Sequence, residues 1–374
     1  MNLANINLVF FLSRAVPLSR WDEMGILERE ITLYKVLRSR LGSLSIVTSG
    51  GPEELAYQDR LGRIRILYNR WGLSPNIYSL LAPFLHWRAL REATVYKTNQ
   101  PDGSWTGVIA GIVHRKPVIV RAGYLWAELN RLEGGCGFKA TLMDRLQAFS
   151  FKRADSIFLT TEAMKQQVVD DYSVYPEKIR VVPNYVNTDR FHPMPTVWAI
   201  KGRICYVGRL HPCKNLDILL EAVSQIPGAS LVLIGQGEQR EELETLAQHH
   251  KVKVQFLGVL PHSQVPVEIN RSEIFILPSS FEGHPKALIE AMACGVAIVG
   301  TSVDGIRNII RHEETGLLCP LTVEGIASAL QRLLADERLR IRLGRAARDF
   351  VEQEYGLERI VEAEVTMLQQ VLND

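Results

Sequence analysis

Phe281–Gly295 reads FEGHPKALIEAMACG, and no other stretch of the chain says as much about its fold. One carboxylate, Glu282, stands in a glycine-bearing turn and a second, Glu290, follows eight positions on. Pro285 stands where a helix would take its first residue, a place that suits proline because its missing N–H has no intrahelical partner there. The spacing predicts a helix over Pro285–Ala293. The first-turn N–H groups of such a helix carry partial positive charge and bind anions. The segment therefore offers hydroxyl-binding carboxylates on either side of a phosphate-binding helix start, matching the ribose, diphosphate and sugar of a nucleotide-sugar. A second reading stays open: a surface helix with Lys286 and Glu290 as an i,i+4 pair and Ala287, Leu288, Ala291 and Met292 as its buried stripe.

Outward from this stretch, short β-branched runs alternate with amphipathic segments along the chain. Strands are expected at Ile6–Leu12, Leu44–Thr48, Ile64–Leu67, Thr94–Lys97, Pro117–Val120, Ser156–Leu159 and Ile179–Val182. Further strands are expected at Ile204–Val207, Ser230–Ile234, Lys253–Leu257, Glu273–Leu277 and Val296–Gly300. Helical patterns between them include Glu23–Leu41, Ser74–Leu90 and Trp105–His114 in the first half. Such alternation implies α/β architecture, with parallel sheets covered on both faces and ligands at the C-terminal ends of the strands. At 374 residues the chain exceeds one ordinary core, so two domains are expected. Val182–Pro195 (VPNYVNTDRFHPMP) interrupts the alternation with three prolines and reads as the linker between them.

Composition excludes several classes. Formal charge is +2, too small to argue for nucleic-acid binding. Five scattered cysteines with no C-x-x-C pair argue against a disulfide framework or structural zinc and fit a reducing compartment. No apolar run approaches the roughly 20 residues of a membrane span. The apolar run Ile6–Leu12 has no positive side chain before it and no small-residue cleavage pattern after it, so it reads as a first strand and not as a signal peptide. The expectation is a cytoplasmic protein.

Tyr206–Asn215 (YVGRLHPCKN) ends a strand at Gly208, where a bare backbone can approach a ligand, and adds Arg209 and Lys214. Two fixed cations there could stabilise a departing diphosphate without a metal. The G-x-G turn within Leu231–Glu238 needs no ligand to explain it.

Together, the E-x7-E spacing of Glu282 and Glu290, the GRL-x-x-x-K pattern from Gly208 to Lys214 and the linker with Asn184, Val186, Phe191 and Pro193 resemble the family 4 retaining glycosyltransferases. That resemblance implies the GT-B fold, two Rossmann-like domains facing across a cleft. Residues 1–183 would form the acceptor domain, with a helix over 355–374 packing back on it, and residues 184–354 the donor domain. It implies that Glu290 binds the donor ribose and Glu282 faces the transferred sugar, with Arg209 and Lys214 holding the diphosphate. Gly208, Gly283, His284, Pro285, Lys286, Ala287 and Leu288 would line the donor, Val259 would touch the base through its backbone, and Gly25 would approach the sugar and phosphates.

The acceptor side departs from the family. Only Gly25 of the usual glycine pair is present, and Arg121 stands where many members carry a histidine. Arginine could bind an oxygen but does not serve as a base. Asn99 and Asp102 belong to a strand-end loop that could line the cleft, although an Asp-Gly turn also explains Asp102. The implied activity is metal-independent transfer of a sugar from a nucleotide-diphosphate donor to a saccharide or lipid-linked acceptor in polysaccharide, lipopolysaccharide or glycolipid assembly. A lipid-linked acceptor would bring the protein to a membrane surface. An epimerase or hydrolase of the same fold, or a silent nucleotide-sugar binder, would share the same donor residues.

Overall fold

A computed structural model describes residues 2–126 and 138–373 of the chain. Two compact units result: Met1–Pro183 with Val361–Asp374, and Asn184–Ile360. The second unit runs six residues beyond the expected limit at 354. The cause is local: Val186 N–H donates to Tyr355 O and Leu357 N–H to Val186 O, tying the start of the linker to that turn.

The first unit holds a parallel sheet of seven strands: β1 (Asn7–Phe11), β2 (Ser43–Val47), β3 (Arg65–Leu67), β4 (Val95–Thr98), β5 (Val118–Ala122), β6 (Ser156–Leu159) and β7 (Ile179–Val181). The spatial order is β3-β2-β1-β4-β5-β6-β7, so the direction of winding reverses between β1 and β4. Leu8, Val9, Phe10 and Phe11 are all buried, which is why this strand reads as an unbroken apolar run and not as an alternation.

Right-handed crossovers place the helices before β4, β5 and β6 on one face, and the helix between β1 and β2 on the other. The pattern expected as one helix over Glu23–Leu41 is broken into Leu18–Glu23 and Leu27–Arg40. Gly25, at φ 69°, closes the first of these. Gly25 N–H donates to Asp22 O and Ile26 N–H to Trp21 O, the paired bonds of a Schellman cap that needs a left-handed residue. The pattern over Ser74–Leu90 likewise divides at His86 into Pro75–Leu85 and Trp87–Arg91.

The last helix, Leu357–Asn373, brings Glu364 to Lys97 on the central strand β4. Lys97 Nζ lies 2.6 Å from both carboxylate oxygens, and neither side chain is more than 1% exposed. Burial pulls the Lys97 ammonium below the usual lysine range, Glu364 opposes that shift, and Arg121 adds to it. The rings of Tyr34 and Phe158 complete the enclosure, with centroids 5.3 and 5.7 Å from Nζ.

The second unit has six parallel strands: β8 (Ile200–Val207), β9 (Ser230–Ile234), β10 (Lys253–Gly258), β11 (Ser272–Leu277), β12 (Ala297–Thr301) and β13 (Leu317–Cys319). Their order is β10-β9-β8-β11-β12-β13, with the reversal between β8 and β11. Strand β13 was not expected from sequence; three residues inside a turn-rich segment carry no usable period. Cys205, Cys213, Cys294 and Cys319 are free thiols; Cys136 lies outside the described residues. Among the described residues no helix is long and apolar enough to cross a membrane.

The buried lysine yields a test within the first unit. Glu364→Ala leaves Lys97 without its carboxylate in an apolar site and is expected to cost about 3–5 kcal/mol. Lys97→Met combined with Glu364→Leu is expected to recover most of that loss in chemical denaturation. Equal destabilisation by the single and double variants would show that shape and not charge sets the cost.

Candidate active site

In the second unit the direction of winding reverses between the paired strands β8 and β11, and the loops that leave these two strands meet beyond their C-terminal ends. Such a reversal is where open α/β sheets take ligands, because neighbouring connections run to opposite faces and leave a crevice. The first loop is Gly208–Asn215 and the second Pro278–Pro285. Ser280 N–H donates to Cys213 O at 2.9 Å, and Asn215 Nδ2 donates to Pro278 O at 3.1 Å. These bonds fix the two loops as one surface.

Across the seam Lys214 Nζ lies 2.6 Å from Glu282 Oε1, and Ser279 Oγ donates to the same oxygen at 2.6 Å. The two charged side chains keep 18% and 12% of their surface exposed, enough for a ligand to reach them. Arg209, on the same loop as Lys214, turns elsewhere. Its guanidinium meets Glu238 at 3.2 Å, with both groups more than half exposed. His211 Nε2 lies 3.4 Å from the other Glu238 oxygen. Hydrogen bonding by its own backbone amide, helped by Arg209, lowers the Glu238 carboxyl below the usual range.

Gly283 and His284 lead into the helix Lys286–Ala293. Pro285 caps this helix at φ −70°, ψ 111° and is not its first residue, a shift of one position from the expected start. The missing N–H is harmless at either place. The helix is no solvated surface element: Leu288 through Ala293 are all buried, Glu290 among them. His284 also turns inward. Its ring packs edge-on against Tyr355 at 4.9 Å, and its carbonyl accepts from Asn184 Nδ2 at 2.6 Å.

Glu290 is 3% exposed and lies on a chain of side chains that begins at Arg190. Arg190 Nη1 is 3.0 Å from His262 Nδ1, and His262 Nε2 is 2.9 Å from Glu290 Oε1. A guanidinium only donates, so Nδ1 must accept and Nε2 must carry the proton given to Glu290. The contact therefore selects a neutral His262 in a single tautomer, holding one carboxylate oxygen.

The loop carrying Glu282 rests on a second backbone. A Cβ on Gly305 would lie 2.1 Å from Glu282 O and 2.4 Å from Gly283 O, so only glycine lets Asp304–Arg307 pass beneath. Thr301 Oγ1 donates to Ser279 O at 2.5 Å. The G-x-G turn has a similar cause: a Cβ on Gly235 would meet Gly208 O at 1.9 Å, and one on Gly237 would meet Leu210 O at 2.0 Å. These glycines let two strand-end loops touch and imply no ligand. Gly235 N–H also donates to Gly258 O at 2.8 Å, which places Val259 just beyond the same strand edge.

In the first unit, Asn99 and Arg121 stand at or beside the C-terminal ends of β4 and β5. Asn99 N–H donates to Phe11 O at 3.0 Å, and Arg121 N–H to Thr98 Oγ1 at 3.3 Å. Asp102 pairs with Arg14 at 3.0 Å, and Gly103 follows at φ 85°. The turn explanation therefore accounts for Asp102, whose carboxylate is engaged. Gly25 serves its helix cap. The N-terminus of the helix at Leu18–Glu23 is occupied as well, since Glu54 accepts from Leu18 N–H at 2.8 Å and Ser19 N–H at 3.0 Å.

Two family models match the chain, glycosyltransferase family 4 over residues 31–190 and glycosyl transferases group 1 over residues 200–350. The chain belongs to the family 4 glycosyltransferases. A Mycobacterium tuberculosis glycogen synthase is 24% identical over 233 residues, covering 58% of this chain and 55% of that protein. A Rhizobium meliloti lipopolysaccharide core biosynthesis glycosyltransferase is 28% identical over 225 residues, covering 58% of this chain and 65% of that protein. The chain thus spans a little over half to two thirds of the length of these relatives. Among solved structures, Anabaena HepE in complex with UDP and glucose superposes with a TM-score of 0.80. That likeness covers 97% of this chain and 100% of HepE at 16% identity, and it shows the GT-B fold.

For this family 4 chain, sequence reasoning missed His262, Gly305, Ser279 and Glu54. Only Gly305 left a trace, as a lone glycine after an aspartate at the start of a short helix. We expect His262→Ala to weaken nucleotide-sugar binding about tenfold, or roughly 1.4 kcal/mol. His262→Gln, which can accept from Arg190 and donate to Glu290, should restore part of it. Unchanged binding by His262→Ala in a nucleotide titration would remove the role given to this chain of side chains.

Proposed function

We propose that this protein transfers a sugar from a nucleotide-diphosphate sugar to an acceptor hydroxyl, with retention at the anomeric carbon. The observation that carries the reading is the Lys214–Glu282 contact at 2.6 Å, set at the reversal of the sheet and directly before the helix start at Lys286. It presents a cation, a hydroxyl-binding carboxylate and a set of N–H dipoles within one pair of loops. A nucleotide-sugar presents the complementary series of diphosphate and hydroxyls.

In this reading the diphosphate takes hydrogen bonds from Lys214 and from the first-turn N–H groups at Lys286–Leu288. Arg209 leaves its exposed partner Glu238 to add a second cation. These groups stabilise the charge that grows on the diphosphate as the anomeric bond breaks, and they are in place before the reaction starts. Glu282, held by Lys214 and Ser279, directs its other oxygen to sugar hydroxyls. Glu290, held by His262, accepts from the vicinal ribose hydroxyls. Because protein cations supply the charge, transfer proceeds without a bound metal.

The named relatives support a place in polysaccharide, lipopolysaccharide or glycolipid assembly, and HepE with UDP supports a nucleotide-sugar donor. The free thiols fit work in a reducing, cytoplasmic compartment, where such donors are made.

Incubation with labelled UDP- and GDP-sugars, with and without saccharide acceptors, tests the reading. The expected result is acceptor-dependent product, unaffected by EDTA. Conversion without acceptor, or binding with no conversion, would replace transfer by epimerisation, hydrolysis or sensing. Lys214→Ala and Glu290→Ala are each expected to lower turnover by on the order of 100-fold, about 2.7 kcal/mol. Near-normal rates in both would remove the donor site.

A further inference from the structure

The helices Pro75–Leu85 and Trp87–Arg91 of the first unit have an outward face that is unusual for an α/β fold. Their buried side is made by Tyr78, Ser79, Ala82, Pro83 and Leu90. At helical spacing on the opposite side stand Ile77, Leu80, Leu81, Phe84 and Trp87, each between 41% and 54% exposed. Pro75–Leu85 contains no charged residue at all. The helix Leu27–Arg40, on the other face of the same sheet, shows the ordinary arrangement, with Glu28, Glu30, Arg38 and Arg40 at its ends.

The neighbouring helix Ser104–His114 also lacks acidic residues and carries one more exposed apolar side chain, Ile112, 55% exposed. The two helices are locked together. Trp105 Nε1 donates to Ser79 Oγ at 3.3 Å, His114 Nε2 lies 2.9 Å from Pro83 O, and the His114 and Trp87 rings stand 4.6 Å apart. A contiguous exposed patch of large apolar side chains marks an interaction surface.

Cations collect at one end of this layer. Arg88 and Arg91 lie on the short helix itself. Arg115 and Lys116 follow the end of Ser104–His114, and Lys152 and Arg153 close the next helix of the layer, Phe138–Arg153. Of the acidic residues nearby, Asp155 is taken by Val118 N–H at 2.8 Å and Asp144 by Tyr172 OH at 2.7 Å, while the exposed Glu92 caps the short helix and stands alone among six cations. In a crossover unit each helix runs against its strands, so its C-terminal end lies at the N-terminal edge of the sheet. The cations therefore stand at the edge opposite Asn99 and Arg121.

We infer that this surface docks on an anionic lipid bilayer, with Ile77, Leu80, Leu81, Phe84 and Trp87 entering the headgroup–acyl boundary and the arginines and lysines meeting lipid phosphates. An apolar helix face beside a cationic cluster is the composition that binds such an interface. A second copy of the chain is the weaker occupant, because a symmetric contact would set like cation clusters against each other. The inference stands apart from the donor chemistry and names a partner that the donor site does not specify.

Flotation of the full chain with vesicles tests it, comparing pure phosphatidylcholine with mixed phosphatidylcholine and phosphatidylglycerol. The wild type is expected to float with the mixed vesicles, and its affinity to fall with added salt. Leu80→Glu with Phe84→Glu should weaken this about tenfold or more. Arg88→Glu with Arg91→Glu should weaken binding to the mixed vesicles alone. Ile341→Glu, an exposed apolar position in the second unit, should change nothing. Melting curves matching wild type confirm that the variants fold. No flotation by wild type, unchanged flotation by both double variants, or a dimer that Phe84→Glu dissolves without any vesicle binding would each overturn the inference. A protein that floats but transfers no sugar would instead sink the functional reading and leave this one standing.

Discussion

The reversal of strand order between β8 and β11 is the constraint on which the candidate site of the second unit depends. Parallel strands need long crossovers, and right-handed crossovers leave to opposite faces on either side of the reversal. A gap therefore opens at the C-terminal edge whatever side chains fill it. The sequence then places a basic loop on one side of the gap and a glutamate-bearing loop on the other. The bonds from Ser280 and Asn215 to the facing loop turn two separate connections into one surface.

What the chain discloses before folding follows from how local each feature is. The placement of Glu282 in a turn and of Glu290 on the helix after it was legible, because a turn and a helix of known pitch separate them. Lys214 was legible because it follows a strand end by a few residues. His262 was not, since it comes from a different connection 28 positions before Glu290 and only the fold brings the rings and carboxylate together. Gly25 shows the opposite limit. A glycine after the first strand invites a ligand, yet its left-handed backbone is already accounted for by a helix cap. Lys97 read as an ordinary strand residue, because nothing nearby announces a carboxylate 267 positions away.

The helix Pro75–Leu85 illustrates a further limit of periodicity. A pattern with apolar residues on every side gives a helix but no orientation, because orientation is read from the polar stripe. Packing of Tyr78 and Ala82 inward decides the matter, and it leaves the larger residues outside. The same unit keeps a lysine and a glutamate sealed beneath its sheet. Charge is thus buried on one face and apolar surface exposed on the other, an inversion that ordinary stability does not call for.

The Lys214–Glu282 contact has a consequence for discrimination. With Lys214 already paired to a carboxylate that also accepts from Ser279, both at 2.6 Å, this contact presents little net positive field. An anion alone, such as inorganic phosphate, gains the lysine only by taking it from Glu282, which is then left with the Ser279 hydroxyl alone. A ligand that carries a phosphate and a sugar hydroxyl together meets both partners at once. On the proposed function, the pair would work as a two-part lock, screening abundant free phosphates by the same contact that receives the glycosylated diphosphate.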